Sequence, residues 1–192
     1  MQHEIDFYYD IVSPYSYFAA IQIARLEAET GASVTWKPIF LGGLFRELGN
    51  TAPLSLAPKK RYMTEQDLPR LARHHDVPYQ YPTVFPTNTL TAQRTLAALP
   101  ASDRPALSLT LFDHYWGHGR DVADIALLQQ VFSSSALEKA GSDEAKSALK
   151  SNTDEAIARG AFGAPTLIWK DAIYFGADRI QLLLNDLIEV GK

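Results

Sequence analysis

The sequence predicts an α/β fold in which a β-α-β unit opens the chain, a long helical stretch follows, and a β-β-α unit closes it. Three observations carry this prediction. Two runs rich in β-branched and aromatic residues flank a helical pattern before residue 42. From 42 to 159 the pattern is helices separated by loops, too long for a loop and too helical for a sheet. Two short strand-like runs then precede a last amphipathic segment. The length of 192 residues, with 46% hydrophobic and 21% charged, suits one globular unit or a small core carrying an inserted subdomain.

The elements follow in order. "HEIDFYYDIV" reads as a buried strand that ends at Ser13-Pro14. In "YSYFAAIQIARLEAETG" the apolar residues Phe18, Ile21, Ala24, Leu26 and Ala28 recur at helical spacing, which predicts one continuous helix stopped by Gly31. "ASVTWKPIFL" alternates as a second strand, parallel to the first through a right-handed connection. "EQDLPRLARHHDV" and "NTLTAQRTLAALP" are helical, joined by the extended, Pro-rich "PYQYPTVFPTN". "DRPALSLTLFDHYWGHG" and "DVADIALLQQVF" continue the series. Ser135 and Glu138 stand at capping-box spacing, and "SDEAKSALKSNTDEAIARG" is amphipathic and ends at Gly160. "APTLIWKDAIYFG" reads as a hairpin turning at Lys170-Asp171, and "ADRIQLLLNDLIEVG" as the closing helix. This is the order of a thioredoxin-like fold with a helical domain in its middle: residues 1–41 and 160–192 form the thioredoxin-like domain and 42–159 the all-helical insert.

Composition narrows the chemistry. A net charge of −4 supplies no field for nucleic acid, and "PKKR" at 58 to 61 is a short basic cluster that also reads as a solvated helix start. No window approaches ~18 consecutive apolar residues, so no membrane span is expected. Glu4 and Asp6 in the first strand, with no basic region ahead of an apolar run, argue against a signal peptide and for the cytoplasm. With no Cys the chain performs no disulfide exchange and holds no thiolate-ligated metal, so any sulfur chemistry is borrowed from a ligand.

Two motifs stand out. In "DIVSPYSYFA" the Ser13 hydroxyl caps a helix whose first residue is Pro14, an ordinary arrangement. Ser13-x-x-Ser16 also stands where a thioredoxin-like redox protein carries Cys-x-x-Cys. Ser16, a turn later, reads as a first-turn residue whose hydroxyl bonds locally. Ala164-Pro165 stands where thioredoxin-like folds carry a cis-proline facing that helix start, with the backbone of Ala164 available as an unpaired strand edge. His114 and His118 are four apart, but no Glu completes a metal motif and Gly117 and Gly119 end the helix, so no metal is expected.

"DFYYDIVSPYSYFAA", "YPTVFPTNTLTAQR", "FDHYWGHGRDVAD" and "FGAPTLIWKDAIYFGADRI" together resemble the 2-hydroxychromene-2-carboxylate isomerases, glutathione-dependent enzymes of aromatic degradation related to kappa-class glutathione transferases. The resemblance runs from residue 4 to about residue 188. It implies that glutathione is the cofactor, with its thiolate at the start of the first helix and Ser13 donating a hydrogen bond to the sulfur as the catalytic residue. It implies that Ala164, beside Pro165, holds the cysteinyl backbone. Asp178 pairs with the γ-glutamyl ammonium, and the amides of Ala177 and Asp178 take the carboxylate; related enzymes often have a polar side chain at the place of Ala177. Asn50 and Lys59 match further glutathione contacts, with Lys60 an equally placed cation. Asn88 matches a polar position of the substrate cleft, or caps the helix that follows it. Tyr15, Tyr62, Phe85 and Trp116 would wall that cleft, or belong to the core. The partners implied are a small aromatic substrate, glutathione and a second subunit in a homodimer, with neither nucleic acid nor membrane. Two other outcomes stay open: a kappa-like glutathione transferase or peroxidase, and a redox-inactive thioredoxin-fold module that binds an extended peptide at Ala164-Pro165.

Overall fold

The structure is a computed structural model, and it describes residues 3–51 and 55–191. Strand β1 (Glu4–Tyr9) is followed by α1 (Pro14–Ala20), α2 (Ile23–Thr30) and β2 (Ser33–Pro38). Between β2 and the hairpin β3 (Thr166–Trp169) and β4 (Ala172–Phe175) lie α3 (Leu41–Glu47), α4 (Ala57–Tyr62), α5 (Leu68–His75), α6 (Leu90–Ala98) and α7 (Arg104–Phe112). The same stretch continues with α8 (Ile125–Val131), α9 (Ser134–Lys139) and α10 (Asp143–Ala158), and α11 (Ile180–Val190) ends the fold. The sheet order is β2-β1-β3-β4, with β1 parallel to β2 and antiparallel to β3, and β3 antiparallel to β4. Phe7 lies opposite Trp36 on one side and Leu167 on the other, so β1 is one of the two interior strands. A strand covered on both faces loses the need to alternate, which is why Phe7, Tyr8 and Tyr9 are all fully buried.

One face of the sheet carries an aromatic core. Phe7 stacks on Tyr9 with centroids 5.0 Å apart, Trp36 meets both edge-on, and Phe112 of α7 closes over Tyr9. On the other face Tyr8 and Ile168 pack with Leu41, Leu44 and Ala156 of α3 and α10. There the Tyr8 hydroxyl donates to Glu155 at 2.9 Å, Lys37 bridges Asp6 and Glu155, and Arg159 pairs with Asp6. Burial and the Glu155 hydrogen bond push the Tyr8 phenol up to about 12, so it stays neutral within this cluster.

Three local expectations are corrected. The first helix is broken at Ile21-Gln22, because the Gln22 side chain donates to the Phe18 carbonyl at 2.6 Å while its own N–H turns back to Ala19. The chain then restarts as α2, which Gly31 ends in the left-handed conformation at φ 68°. The cap of α9 is Ser133, which accepts from Ala136 N–H, and the Ser135–Glu138 box does not form. β1 stops at Tyr9, since Asp10 to Val12 fold into a turn. Among the described residues no helix is long and apolar enough to cross a membrane.

Candidate functional site

Two motifs distant in sequence meet at the Ser13 hydroxyl. After β1 the turn closes with Ser13 N–H donating to the Asp10 carbonyl at 3.0 Å. Ser13 is extended (φ −85°, ψ 117°) and Pro14 opens α1, so Ser13 Oγ accepts the Ser16 N–H at 3.2 Å, a helix cap. The hydroxyl proton goes to the Ala164 carbonyl at 2.9 Å, across 151 positions of sequence. Ala164-Pro165 is cis, and the Pro165 carbonyl takes the Gly176 N–H, which brings the turn at Gly176–Arg179 alongside. Gln22 donates to the Ala177 carbonyl at 3.3 Å and ties the end of α1 to the same turn. Ser13, Ala164, Pro165, Ala177 and Asp178 are therefore one neighbourhood.

Ser16 departs from its expectation. It is completely buried and its hydroxyl has no hydrogen-bond partner, so it does not bond locally to the helix backbone. A buried hydroxyl without a partner costs about 1–3 kcal/mol, and such atoms belong where a ligand or a water supplies the missing bond.

The other residues divide. Tyr15 is half-buried and donates to Asp67 Oδ2 at 2.6 Å, and Tyr62, 49% exposed, lies 3.4 Å from the other oxygen of the same carboxylate. Asn50 donates to the Phe162 carbonyl at 3.3 Å and so braces the segment that leads into Ala164. Lys59 and Lys60 are both exposed on α4. Asp178 is exposed and paired with the Arg179 guanidinium at 2.6 Å, a partner that an incoming ammonium has to replace. Phe85 is half-buried, precedes a cis-proline at Pro86, and packs 5.7 Å from Trp116. Trp116, read as a possible cleft wall, is completely buried and donates its indole N–H to the Ile11 carbonyl at 2.8 Å; it supports Phe85 from behind. Asn88 is not the N-cap of α6, which is Thr89; its Oδ1 accepts from Leu90 N–H at 3.1 Å in a turn just before the helix. His118 pairs with Asp113 and His114 with Arg120, so the two rings serve separate surface contacts.

Sequence reading missed three supports of this site. Asp10 is fully buried and accepts from Val12 N–H, the Thr89 hydroxyl and Leu41 N–H, which joins the Ser13 turn to the starts of α3 and α6. Burial outweighs those bonds and raises its carboxyl to about 6. Gln93, also fully buried, donates to the carbonyls of Tyr9 and Ile39. Asp67 holds Tyr15. A lone acid at the end of an apolar run, "YYDIVSP", was the available sign for Asp10; the other two leave none. An open groove of about 440 Å³ along α10 passes Lys150, Asp154 and Glu155, and contains none of the site residues named above.

The DSBA-like thioredoxin domain profile matches residues 4–188. The chain belongs to the DsbA-like thioredoxin family. Within this family it is 28% identical to the 2-hydroxychromene-2-carboxylate isomerase of Sphingobium xenophagum, over 98% of this chain and 100% of that one. It is 28% identical to glutathione S-transferase kappa 2 of Caenorhabditis elegans, over 98% and 93% of the two chains. A solved 2-hydroxychromene-2-carboxylate isomerase superposes with a TM-score of 0.88 at 26% identity, covering 97% of this chain and 95% of the other. The resemblance read from the four sequence blocks thus extends over nearly the full length, and these relatives are by name enzymes, isomerases and transferases. A DsbA-like fold without Cys cannot exchange disulfides. What Ser13 can do is donate one hydrogen bond at the start of a helix, from a buried position against the Ala164 carbonyl.

Proposed function

We propose that this protein is a glutathione-dependent isomerase of the 2-hydroxychromene-2-carboxylate type, acting in the cytoplasm on a small aromatic substrate. The observation that carries the reading is the hydrogen bond from Ser13 to the Ala164 carbonyl, which aims a buried hydroxyl at the backbone edge expected to hold a cysteinyl residue. The residues present fit the cofactor. Ser16 leaves an unpartnered buried hydroxyl one turn from Ser13, and the Ala164 carbonyl retains a second lone pair for a ligand N–H. Glutathione, when bound, supplies the thiolate nucleophile that a chain without Cys lacks, and is regenerated rather than consumed.

The chain's own residues bind and orient. Rotation about the Ser13 Cβ–Oγ bond turns its proton from Ala164 toward a sulfur, favouring the anion as a polar neighbour depresses a thiol pKa. Ala164 offers backbone pairing, Asn50 braces the segment that leads into it, Lys59 is an exposed cation on α4 available to glutathione, and Asp178 with the amide of Ala177 receives the γ-glutamyl end. Tyr15, Tyr62 and Phe85 supply aromatic surface, and Asn88 remains available to a substrate carbonyl through its amide group.

The test is turnover of 2-hydroxychromene-2-carboxylate to trans-o-hydroxybenzylidenepyruvate with and without reduced glutathione. Activity that requires glutathione and falls at least tenfold in Ser13→Ala supports the reading; glutathione-independent turnover or an unchanged Ser13→Ala rate overturns it. The kappa-named relatives favour one second reading, a transferase in which the thioether leaves as product. Product analysis separates the two, because only the transferase consumes glutathione.

A further inference from the structure

The Tyr15 hydroxyl stands two residues from Ser13, and what holds it comes from the helical stretch between β2 and β3. Asp67 ends a π-helical turn, Met63–Asp67, inserted between α4 and α5. Such turns are rare and concentrate at functional sites, because the extra residue re-aims side chains that a regular helix would point elsewhere. Asp67 forms no ion pair among the described residues; its two oxygens are occupied by the Tyr15 hydroxyl at 2.6 Å and the Tyr62 hydroxyl at 3.4 Å. A phenol has one proton. Tyr15 gives that proton to Asp67, so toward any other group it presents lone pairs alone. Burial, the Asp67 bond and the negative charges of Asp67 and Asp178 all raise the Tyr15 phenol, which keeps it protonated and the arrangement fixed.

We infer that Asp67 is a positioning residue that makes the Tyr15 hydroxyl, on α1 two positions after Ser13, an acceptor-only group, selecting a ligand group that donates a hydrogen bond and rejecting a carboxylate at that place. The identity of the ligand rests on the glutathione reading; the Asp67–Tyr15 coupling does not. A merely structural Asp67 would hold α5 against α1 whatever Tyr15 offers. A positioning Asp67 acts through the Tyr15 oxygen and has no effect once that oxygen is gone.

The experiment compares wild type with Tyr15→Phe, Asp67→Ala, Asp67→Asn and the Tyr15→Phe/Asp67→Ala double variant, using reduced glutathione in calorimetry. Asp67→Asn keeps an oxygen that accepts the Tyr15 proton. The expected result is a loss of affinity of about 5- to 15-fold in Tyr15→Phe and in Asp67→Ala, no further loss in the double variant, and recovery to within about threefold in Asp67→Asn. Losses that multiply in the double variant, or an unaffected Asp67→Ala, overturn the inference. Titration of the tyrosines by NMR reads the coupling without any ligand: the Tyr15 midpoint falls in Asp67→Ala if the pair exists in solution, and an unmoved midpoint overturns it. Wild type that binds no glutathione but shows this fall refutes the cofactor reading and leaves the coupling standing.

Discussion

Replacing Asp10 by Asn gives a prediction whose sign is fixed by burial. Asp10 is completely buried, accepts three hydrogen bonds and has its carboxyl raised from the ordinary 3.8 to about 6. The folded chain therefore holds a proton that the unfolded chain has already released between pH 4 and 6. More protons bound in the folded state means that stability falls as pH rises through this window, and the part due to Asp10 is fully present below pH 4. The gap between 3.8 and about 6 corresponds to about 3 kcal/mol. Asn at this position does not titrate, and its Nδ2 facing the Leu41 N–H adds a pH-independent penalty of about 1–3 kcal/mol. Urea unfolding of both proteins from pH 4 to 7.5, followed by tryptophan fluorescence, gives their difference in stability, from which the other carboxylates cancel. The wild type should gain about 3 kcal/mol on the variant between pH 7 and pH 4. A difference that is flat with pH, or that moves the other way on acidification, refutes the assignment of a buried Asp10 whose carboxyl is raised by burial.

Ser13→Ala removes both the cap on Ser16 N–H and the bond to Ala164, so besides its effect on turnover it should lower stability by about 1–2 kcal/mol in the same urea assay. Gly176 has φ 103°, and a Cβ there would lie 2.7 Å from Asp178 Oδ1; Gly176→Ala should cost about 1–2 kcal/mol and displace Asp178, weakening glutathione binding in calorimetry more than it lowers the melting temperature. Arg104 donates to the carbonyls of Leu99, Ala97 and Trp36, tying the end of α6 to β2. Arg104→Met keeps much of the stem but orphans these acceptors, and should lose about 2–4 kcal/mol in denaturant unfolding while leaving the affinity for glutathione unchanged.

The strands, the stop at Gly31 and the hairpin at Lys170-Asp171 were legible because each is written locally, in β-branched runs, a helix-ending glycine and turn residues, while the meeting of Ser13 with Ala164 was legible only through the thioredoxin-like order of the elements. What escaped reading is made across the fold. The break after α1 goes with Gln22 turning its side chain onto the Phe18 carbonyl and, more distantly, onto Ala177, and the Tyr15–Asp67 pair joins residues 52 apart through a π-helical turn that has no sequence signature. Trp116 and Phe85 share one aromatic pattern, and only packing decides that the first lies inside and the second at the margin. The role of Asp10 comes from Leu41 and Thr89 converging on it from other elements, which no local pattern records.

The most direct test of the central claim is calorimetry of the purified protein with reduced glutathione, S-methylglutathione and a scrambled tripeptide. Selective binding of glutathione, weakened by methylation of its thiol and by Ser13→Ala, is the predicted result. No binding of glutathione at millimolar concentration would contradict both glutathione-dependent readings, and tight binding of the scrambled peptide would point instead to an extended-peptide module at Ala164-Pro165.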